Sequence, residues 1–294
     1  MAAKKKDEPG PEPAPAAMVD RTEPTEEQPT GARSGMPGGF QRSSEIPTSE
    51  AIKILIYGDN GTGKTTIGCT APDPFFIVTE LKALRRIKAM GKTLKIEIPV
   101  KVVESLKDMN VALDTLDRKP KRCSVVLDSA SDLYNVLIAE FCSGKASVPR
   151  KDDWQLIQAQ MENILRRLSN NRHDAIVLCA HREVSTEDGI RVAPAFRGER
   201  LPTQIGKLFQ AVGYTFKKKT ADGRMRYLVA FEPDGLITAK RDDGLRPIEV
   251  PNVALWRKAI SEAYAAGQHA YDFEYELGEG VVPEPGTEKK DEEF

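Results

Sequence analysis

The chain has 294 residues, 40% of them apolar and 30% charged, with a formal net charge of −1. This profile is typical of a soluble protein with one large or two small domains, and the balanced charge argues against general polyanion binding. Four cysteines without a CxxC pair and only three histidines argue against a structural zinc site and favour a reducing cytosol. No apolar stretch reaches the roughly 18 residues that span a bilayer, so we expect no membrane partner.

The two ends of the chain differ in composition from the middle. Residues 1–48 are rich in proline and lack a periodic apolar pattern, which predicts a disordered N-terminal tail. Acidic residues dominate the end of the chain, so we expect a second tail at 273–294. The residues between them, 49–272, are predicted to form one domain.

Within this domain, apolar runs at 52–57, 75–78, 124–128 and 175–180 predict buried strands. Helical patterns lie between them, the clearest at 153–169, and this alternation predicts an α/β fold with a mainly parallel central sheet flanked by helices. Towards the end, two strand patterns at 211–216 and 225–231 flank an Asp222–Gly223 turn and predict an antiparallel hairpin. A short strand at 236–239 and a closing helix at 253–267 complete the predicted domain.

The first predicted strand leads into GDNGTGKT, residues 58–65, which has the spacing of a P-loop. Its glycines permit backbone angles that let the loop amides surround phosphates at the start of the following helix. Lys64 is expected to reach the β- and γ-phosphates of ATP, and the Thr65 hydroxyl to ligate Mg²⁺. The predicted nucleotide contacts are Gly58, Asp59, Asn60, Gly61, Thr62, Gly63, Lys64, Thr65 and Thr66.

Three polar residues follow the ends of later strands, where the carboxyl edge of a parallel sheet forms its active crevice. Asp128 is expected to hold Mg²⁺ beside Thr65; the alternative is a helix N-cap. Glu80 is a candidate general base for hydrolysis, or else a surface residue that favours a helix start. His181 is a candidate sensor of the γ-phosphate, although a lone histidine is more often structural.

The order of IYGDNGTGKTT, FFIVTE, VVLDS and VLCAH, followed by a loop and a hairpin, resembles a RecA-like P-loop NTPase core. More narrowly, it resembles the short RecA-like branch of the Sak-type single-strand annealing proteins, which are encoded by phages. The resemblance implies that Glu80 activates water and that His181 is the sensor. It also implies that Lys240 or Arg241, in TAKRDDG, reaches the γ-phosphate of a neighbouring subunit; the alternative is an exposed turn charge.

The same resemblance places single-stranded DNA along the loop after the fourth strand. Residues 182–226 hold ten Lys and Arg against five Asp and Glu, a local charge of +5. Phe196 lies between basic residues, so its ring is a candidate for stacking on a base. A solvated basic face is the alternative reading of this stretch. The candidate DNA contacts are Arg182, Arg191, Phe196, Arg197, Arg200 and Lys207.

The sequence therefore predicts a DNA-stimulated ATPase that needs ATP and Mg²⁺ and promotes annealing or recombination of single-stranded DNA in phage DNA metabolism. The expected partners are single-stranded DNA, further copies of the chain, and a single-strand-binding or other replication protein, in the cytoplasm of the host. The alternative is a nucleotide-dependent switch or scaffold with little ATP turnover. An ATPase assay with and without single-stranded DNA separates the two.

Overall fold

The computed structural model describes residues 51–142, 149–186, 189–197, 200–221 and 223–267, and for residues 181–186, 189–190, 200 and 202–203 it describes the backbone alone. The predicted tails and both ends of the predicted domain lie outside these ranges. Among the helices that fall inside them, none is long and apolar enough to cross a membrane.

Strands and helices alternate along the first half of the described chain, and a hairpin follows later. The strands are β1 (Lys53–Gly58), β2 (Pro74–Val78), β3 (Val100–Val102), β4 (Ser124–Asp128), β5 (Asp174–Thr186), β6 (Gly189–Pro194), β7 (Ala211–Lys219), β8 (Met225–Ala230) and β9 (Ile248–Glu249). The helices are α1 (Lys64–Cys69), α2 (Leu81–Leu94), α3 (Leu106–Arg118), α4 (Ala130–Cys142), α5 (Lys151–Asn170), α6 (Arg200–Leu208) and α7 (Val253–Ala266).

The strands of the described chain form one sheet in the order β3-β2-β4-β5-β1-β7-β8-β9, with β6 paired to β5. The pairs from β3 to β7 are parallel, whereas β6, β8 and β9 pair antiparallel with their neighbours. The predicted α/β fold, with a mainly parallel sheet, flanking helices and a C-terminal antiparallel hairpin, is confirmed. In this order β5 lies between β1 and β4. The first of these precedes the P-loop, and the second ends at Asp128.

The core lies on both faces of the sheet. Alternate residues of each central strand point to opposite faces, so that Leu55 and Tyr57 pack with α3, α4 and α5, while Ile54 and Ile56 pack with α1, α2 and α7. Burial on both sides explains why these strands are continuous apolar runs rather than alternating patterns. The predicted apolar stripe of α5 is also buried against the sheet, at Ile157, Met161, Ile164, Leu165 and Leu168.

Two details of the predicted strands are corrected. The fourth strand does not end at residue 180, because β5 continues to Thr186 and pairs antiparallel with β6, so a hairpin stands where a loop was expected. The strand expected at 236–239 is reduced to isolated bridges, which pair Ile237 with Val192 and Lys240 with Val212. The hairpin formed by β7 and β8 and the closing helix α7 agree with the prediction.

A buried polar network joins the strands at the edge of the sheet where β1, β4 and β5 begin. Asp174 is 2% exposed and accepts hydrogen bonds from the Ile52 amide at 3.0 Å and from Arg122 at 2.8 Å, and Arg257 of α7 lies 3.1 Å away. Lys53 Nζ donates to the carbonyl oxygens of Leu168, Asn171 and His173, and burial lowers its pKa to about 8. This network lies at the end of β1 opposite to the P-loop.

Candidate functional site

The loop after β1 has the backbone that its glycines predict. Gly61 and Gly63 have φ angles of 74° and 92°, in the left-handed region that side chains disfavour. Gly58 has a φ of 152°, and a Cβ added there would lie 2.2 Å from Thr215 Oγ1 on β7. Thr62 Oγ1 lies 2.7 Å from both the Asp59 carbonyl oxygen and Thr215 Oγ1. The neighbouring strand thus holds the loop closely, and glycine at position 58 makes this approach possible.

Lys64 is fixed across the loop that precedes it. Its ammonium group donates to the carbonyl oxygens of Gly58 at 2.7 Å and Asp59 at 2.8 Å. Burial lowers the pKa of Lys64, while the nearby Asp128 carboxylate opposes the shift. A positive charge held in this way beside loop amides suits an anionic ligand, because little conformational freedom remains to be lost on binding.

Thr65 and Asp128, which are 63 positions apart in the sequence, meet in the structure. Thr65 Oγ1 donates to Asp128 Oδ2 at 2.7 Å, and the aspartate is only 7% exposed. Burial raises the pKa of Asp128, while the Thr65 hydrogen bond and Lys64 oppose the shift. A hydroxyl and a carboxylate form the oxygen-only donor set that Mg²⁺ prefers, so these residues fit the expected ion.

Glu80 lies beside this pair, at the start of α2. The backbone amide of Thr79 donates to the Asp128 carbonyl oxygen at 3.0 Å, which fixes the chain just before Glu80. The Glu80 side chain is 24% exposed, forms an ion pair with Lys82 at 2.5 Å, and lines the same cavity as Lys64. The structure therefore brings the candidate base to the predicted crevice, where it also occupies the N-cap position of α2 without a side-chain capping bond.

A cavity of about 470 Å³ unites these residues. This volume lies within the usual range of small-molecule sites. The polar and charged lining includes residues that sequence reasoning missed, among them Lys82, Arg86 and Asp132. Lys82 and Arg86 are four residues apart, so they lie on one face of the helix after Glu80, a signal available in the sequence. Tyr227 and Pro251 also line the cavity. Their proximity depends on the pairing of β7 with β8, which no local pattern shows.

The backbone near His181 connects the site to the hairpin formed by β5 and β6. Ala180 lines the cavity, and its amide donates to Ser131 Oγ at 2.9 Å. Ser131 Oγ in turn lies 3.4 Å from the Ala195 carbonyl oxygen, just past β6. His181 itself is paired with Pro194 inside β5 and does not end the strand. Its side chain and that of Arg182 are outside the described parts of the structure.

Phe196 is not a stacking surface for DNA. Its ring is completely buried and packs edge-on against Tyr134 at 6.5 Å, because the chain turns inward after β6. The aromatic neighbour of this segment is instead Trp154 of α5, a partly buried residue whose ring lies 5.7 Å from the Arg197 guanidinium. Arg197, Arg191 and Lys207 are exposed, and the side chain of Arg200 lies outside the described residues.

Lys240 and Arg241 do not line the cavity of their own chain. Lys240 Nζ donates to the carbonyl oxygens of Gly206 at 2.8 Å and Phe209 at 3.0 Å, which ties it to the end of α6. Arg241 lies 3.7 Å from Glu232, a half-exposed partner.

Comparisons with known proteins identify the domain. A family model described as an AAA domain matches residues 50–241. A search of curated proteins finds no match. Among solved structures, the chain is similar to "a prototypical ATPase from the type III secretion system of pathogenic bacteria", with 12% identity and a TM-score of 0.38, over 80% of this chain and 70% of that one. Because the family model covers well over half of the chain and includes the P-loop and Asp128, this protein belongs to the AAA domain family and contains a nucleotide-binding P-loop NTPase domain.

Proposed function

We propose that this AAA-family domain binds ATP with Mg²⁺, hydrolyses it, and uses the cycle to bind and anneal single-stranded DNA. One observation carries the nucleotide part of this proposal: Thr65 Oγ1 lies 2.7 Å from Asp128 Oδ2, directly after a glycine loop that holds Lys64. Together these groups offer loop amides and an ammonium to phosphates, and two oxygen ligands to a cation.

The residues of the cavity have separate tasks in the proposed reaction. Lys64 and the loop amides bind and orient the phosphates, and Thr65 and Asp128 would hold Mg²⁺, which supplies neutralisation of phosphate charge when bound. Glu80 orients the attacking water or accepts a proton from it. The water oxygen bonds to the γ-phosphorus while the bond between that phosphorus and the oxygen bridging to the β-phosphate breaks. The leaving group is ADP, and the phosphoryl group leaves with the oxygen of water as inorganic phosphate.

DNA binding is proposed for the surface near Arg197. The exposed guanidinium and the neighbouring ring of Trp154 combine a phosphate-binding cation with an aromatic side chain that can stack on a base. In support, the carbonyl oxygen of Ala195, two residues before Arg197, lies 3.4 Å from Ser131 Oγ, and Ser131 stands in the sequence between the cavity-lining residues Ser129 and Asp132. We propose that nucleotide binding favours the DNA-binding arrangement of this segment, in keeping with the resemblance to phage-encoded single-strand annealing proteins.

A switch or scaffold with little turnover is the second candidate. The ion pair between Glu80 and Lys82 favours it, because the carboxylate has to leave Lys82 before it can contact an attacking water. In that case ATP binding alone would change the affinity for DNA or for a replication partner.

An ATPase assay with and without a single-stranded oligonucleotide tests the proposal. Wild type should hydrolyse ATP faster with the oligonucleotide present. Glu80→Gln should bind ATP but turn it over about 10²–10⁴-fold more slowly, the usual contribution of a general base. Lys64→Ala should lose ATP binding, and Trp154→Ala should retain basal turnover but lose the stimulation by DNA.

Each outcome bears on a different part of the proposal. Wild-type turnover that Glu80→Gln leaves unchanged would remove Glu80 from the reaction. Unchanged ATP affinity in Lys64→Ala would defeat the nucleotide site itself. A wild-type protein that ignores the oligonucleotide at low salt, with and without ATP, would exclude the DNA role and leave the switch.

A further inference from the structure

One wall of the cavity differs in chemistry from the phosphate loop and from α2. Tyr227 of β8 and Pro251 after β9 contribute flat apolar surface to a lining that also holds the charged residues Lys82 and Arg86. Tyr227 is 44% exposed, although its ring is large and apolar. Neither residue offers a charge to a phosphate, so this wall has a different task from the loop that it adjoins.

The position of Tyr227 is set by its neighbours on two segments, the P-loop and β7. A Cβ added to Gly63 would lie 3.7 Å from Tyr227 Cδ1, so the ring rests beside the last glycine of the P-loop. Across the hairpin, Tyr227 pairs directly with Lys217 of β7, whose ammonium lies 5.4 Å from the ring centroid. Lys217 therefore lies over one face of the tyrosine, and a cation placed over a ring in this way restrains its orientation.

Recognition of a nucleoside triphosphate needs more than a phosphate site. Loop amides, Lys64 and Thr65 would contact only the phosphates, which are identical in all nucleotides and in inorganic polyphosphate. A base carries a planar π-face, and aromatic side chains bind such faces by stacking. On the described lining of the cavity, Tyr227 is the one aromatic ring and lies within reach of the loop.

We propose that Tyr227 and Pro251 form a base platform, on which the base of the bound nucleoside triphosphate stacks. This inference rests on the proposed function, namely that the cavity binds a nucleoside triphosphate. The platform favours purine nucleotides, because a two-ring base covers more of the tyrosine than a pyrimidine does. Specificity for the base therefore comes from the C-terminal hairpin, whereas phosphate affinity comes from the P-loop.

The test compares a nucleotide with a ligand that has phosphates but no base. Binding of Mg–ATP, Mg–CTP and Mg–tripolyphosphate is measured by calorimetry for wild type, Tyr227→Ala and Tyr227→Phe. Met225→Ala is the matched control, because Met225 lies two residues earlier on β8, is 51% exposed, and does not line the cavity. Tyr227→Thr, a β-branched residue suited to a strand, repeats the test should alanine disturb the fold.

Wild type should bind ATP more tightly than CTP. Tyr227→Ala and Tyr227→Thr should weaken ATP binding roughly 5- to 100-fold, the range of one stacking contact, and leave tripolyphosphate binding unchanged. Tyr227→Phe should keep the wild-type ATP affinity because the ring remains, and Met225→Ala should match wild type for every ligand.

Three results would overturn the platform. Equal losses for ATP and tripolyphosphate would show that Tyr227 only supports the P-loop. Unchanged ATP binding in both Tyr227→Ala and Tyr227→Thr would show that the base lies elsewhere. If wild type binds ATP no more tightly than tripolyphosphate, the platform is rejected and the phosphate site is kept. If wild type binds neither ligand, the proposed function is rejected together with the platform.

Discussion

At the scale of single residues, Asp128 is the most constrained group in the cavity. Its carboxylate is almost fully buried and has Thr65 as its hydrogen-bond donor. Burial penalises the charged form, so the pKa of Asp128 is raised. In the ligand-free protein Asp128 therefore lowers the stability of the fold, although its carboxylate would serve to bind Mg²⁺.

Replacing Asp128 by asparagine should separate these two effects. The folded protein holds the proton more tightly than the unfolded chain, so wild-type stability falls as pH rises from about 4 through the raised pKa. At pH 7 without ligands, Asp128→Asn should therefore be more stable, by roughly 2–4 °C in Tm, the shift that about 1 kcal/mol gives in a domain of this size. Thermal melts check this, and a lower Tm than wild type would contradict it.

The same variant should lose the response to the metal. Mg–ATP should raise the Tm of wild type well above that of the ligand-free protein, whereas Asp128→Asn should show little additional effect of Mg²⁺ over ATP alone. Asp114→Asn is a suitable control, because Asp114 is half exposed and forms a surface ion pair with Arg167. It should behave as wild type in both measurements.

The sequence predicted these positions because their signals are local. A glycine loop after an apolar run, and an aspartate closing another, need no knowledge of distant contacts. The failure at Phe196 has the opposite cause. Its neighbours in the chain are basic, but its burial under Tyr134 depends on where β6 ends and how the chain turns. Tyr227 was missed for the same reason, since the pairing of two strands brings it to Gly63.

At the scale of elements, the polar network around Asp174, where β1, β4 and β5 begin, connects strands that are distant in sequence. Asp174 accepts a hydrogen bond from the segment before β1, contacts Arg122 before β4, and pairs with Arg257 of α7. Neither the arginines nor the lysine at position 53 formed a pattern in the sequence. Apolar runs show which strands are buried, but the polar contacts that fix their ends depend on the assembled sheet.

Asp174→Ala should therefore be strongly destabilising, because it removes the buried carboxylate that Arg122, Arg257 and the Ile52 amide share. We expect a loss of about 3–5 kcal/mol in the free energy of unfolding, measured by urea denaturation. At temperatures where the variant stays folded, ATP affinity should remain near wild type, since the network lies at the other end of β1.

Glu262→Ala provides the matched control for this change. Glu262 belongs to an exposed pair with Lys258 on α7, and its removal should alter stability by less than about 0.5 kcal/mol. If Asp174→Ala proved as mild as this control, the network would be incidental to the fold.

At the scale of the whole molecule, the cavity of one chain lacks a cation from the segment 238–244. Lys240 is tied to α6, Arg241 lies 3.7 Å from Glu232, and neither is among the described residues that line their own cavity. We propose that Arg241 completes the site of an adjacent copy, as the resemblance to RecA-like rings and filaments implies. Each active site would then be shared between two chains.

A mixing experiment tests this arrangement. Arg241→Ala and Glu80→Gln should each be nearly inactive alone. When mixed in equal amounts, they should recover roughly a quarter of wild-type turnover, because random neighbours restore a site with both groups intact at that frequency. A mixture of Glu80→Gln with Lys64→Ala is the control and should stay inactive, since both changes damage the same half-site. Failure of the first mixture to recover would place Arg241 outside the reaction.

The long strand β5 has a mechanical consequence. One half of it is bonded on both sides, to the strand before the P-loop and to the strand that carries Asp128, while its outer half belongs to a hairpin with β6. A ligand that binds this hairpin would therefore be connected, through the single backbone of β5, to both strands that carry the phosphate site. Thermodynamic reciprocity then makes the effect symmetric. If the nucleotide changes the affinity of the hairpin for its ligand by some factor, the ligand on the hairpin changes the affinity for the nucleotide by the same factor.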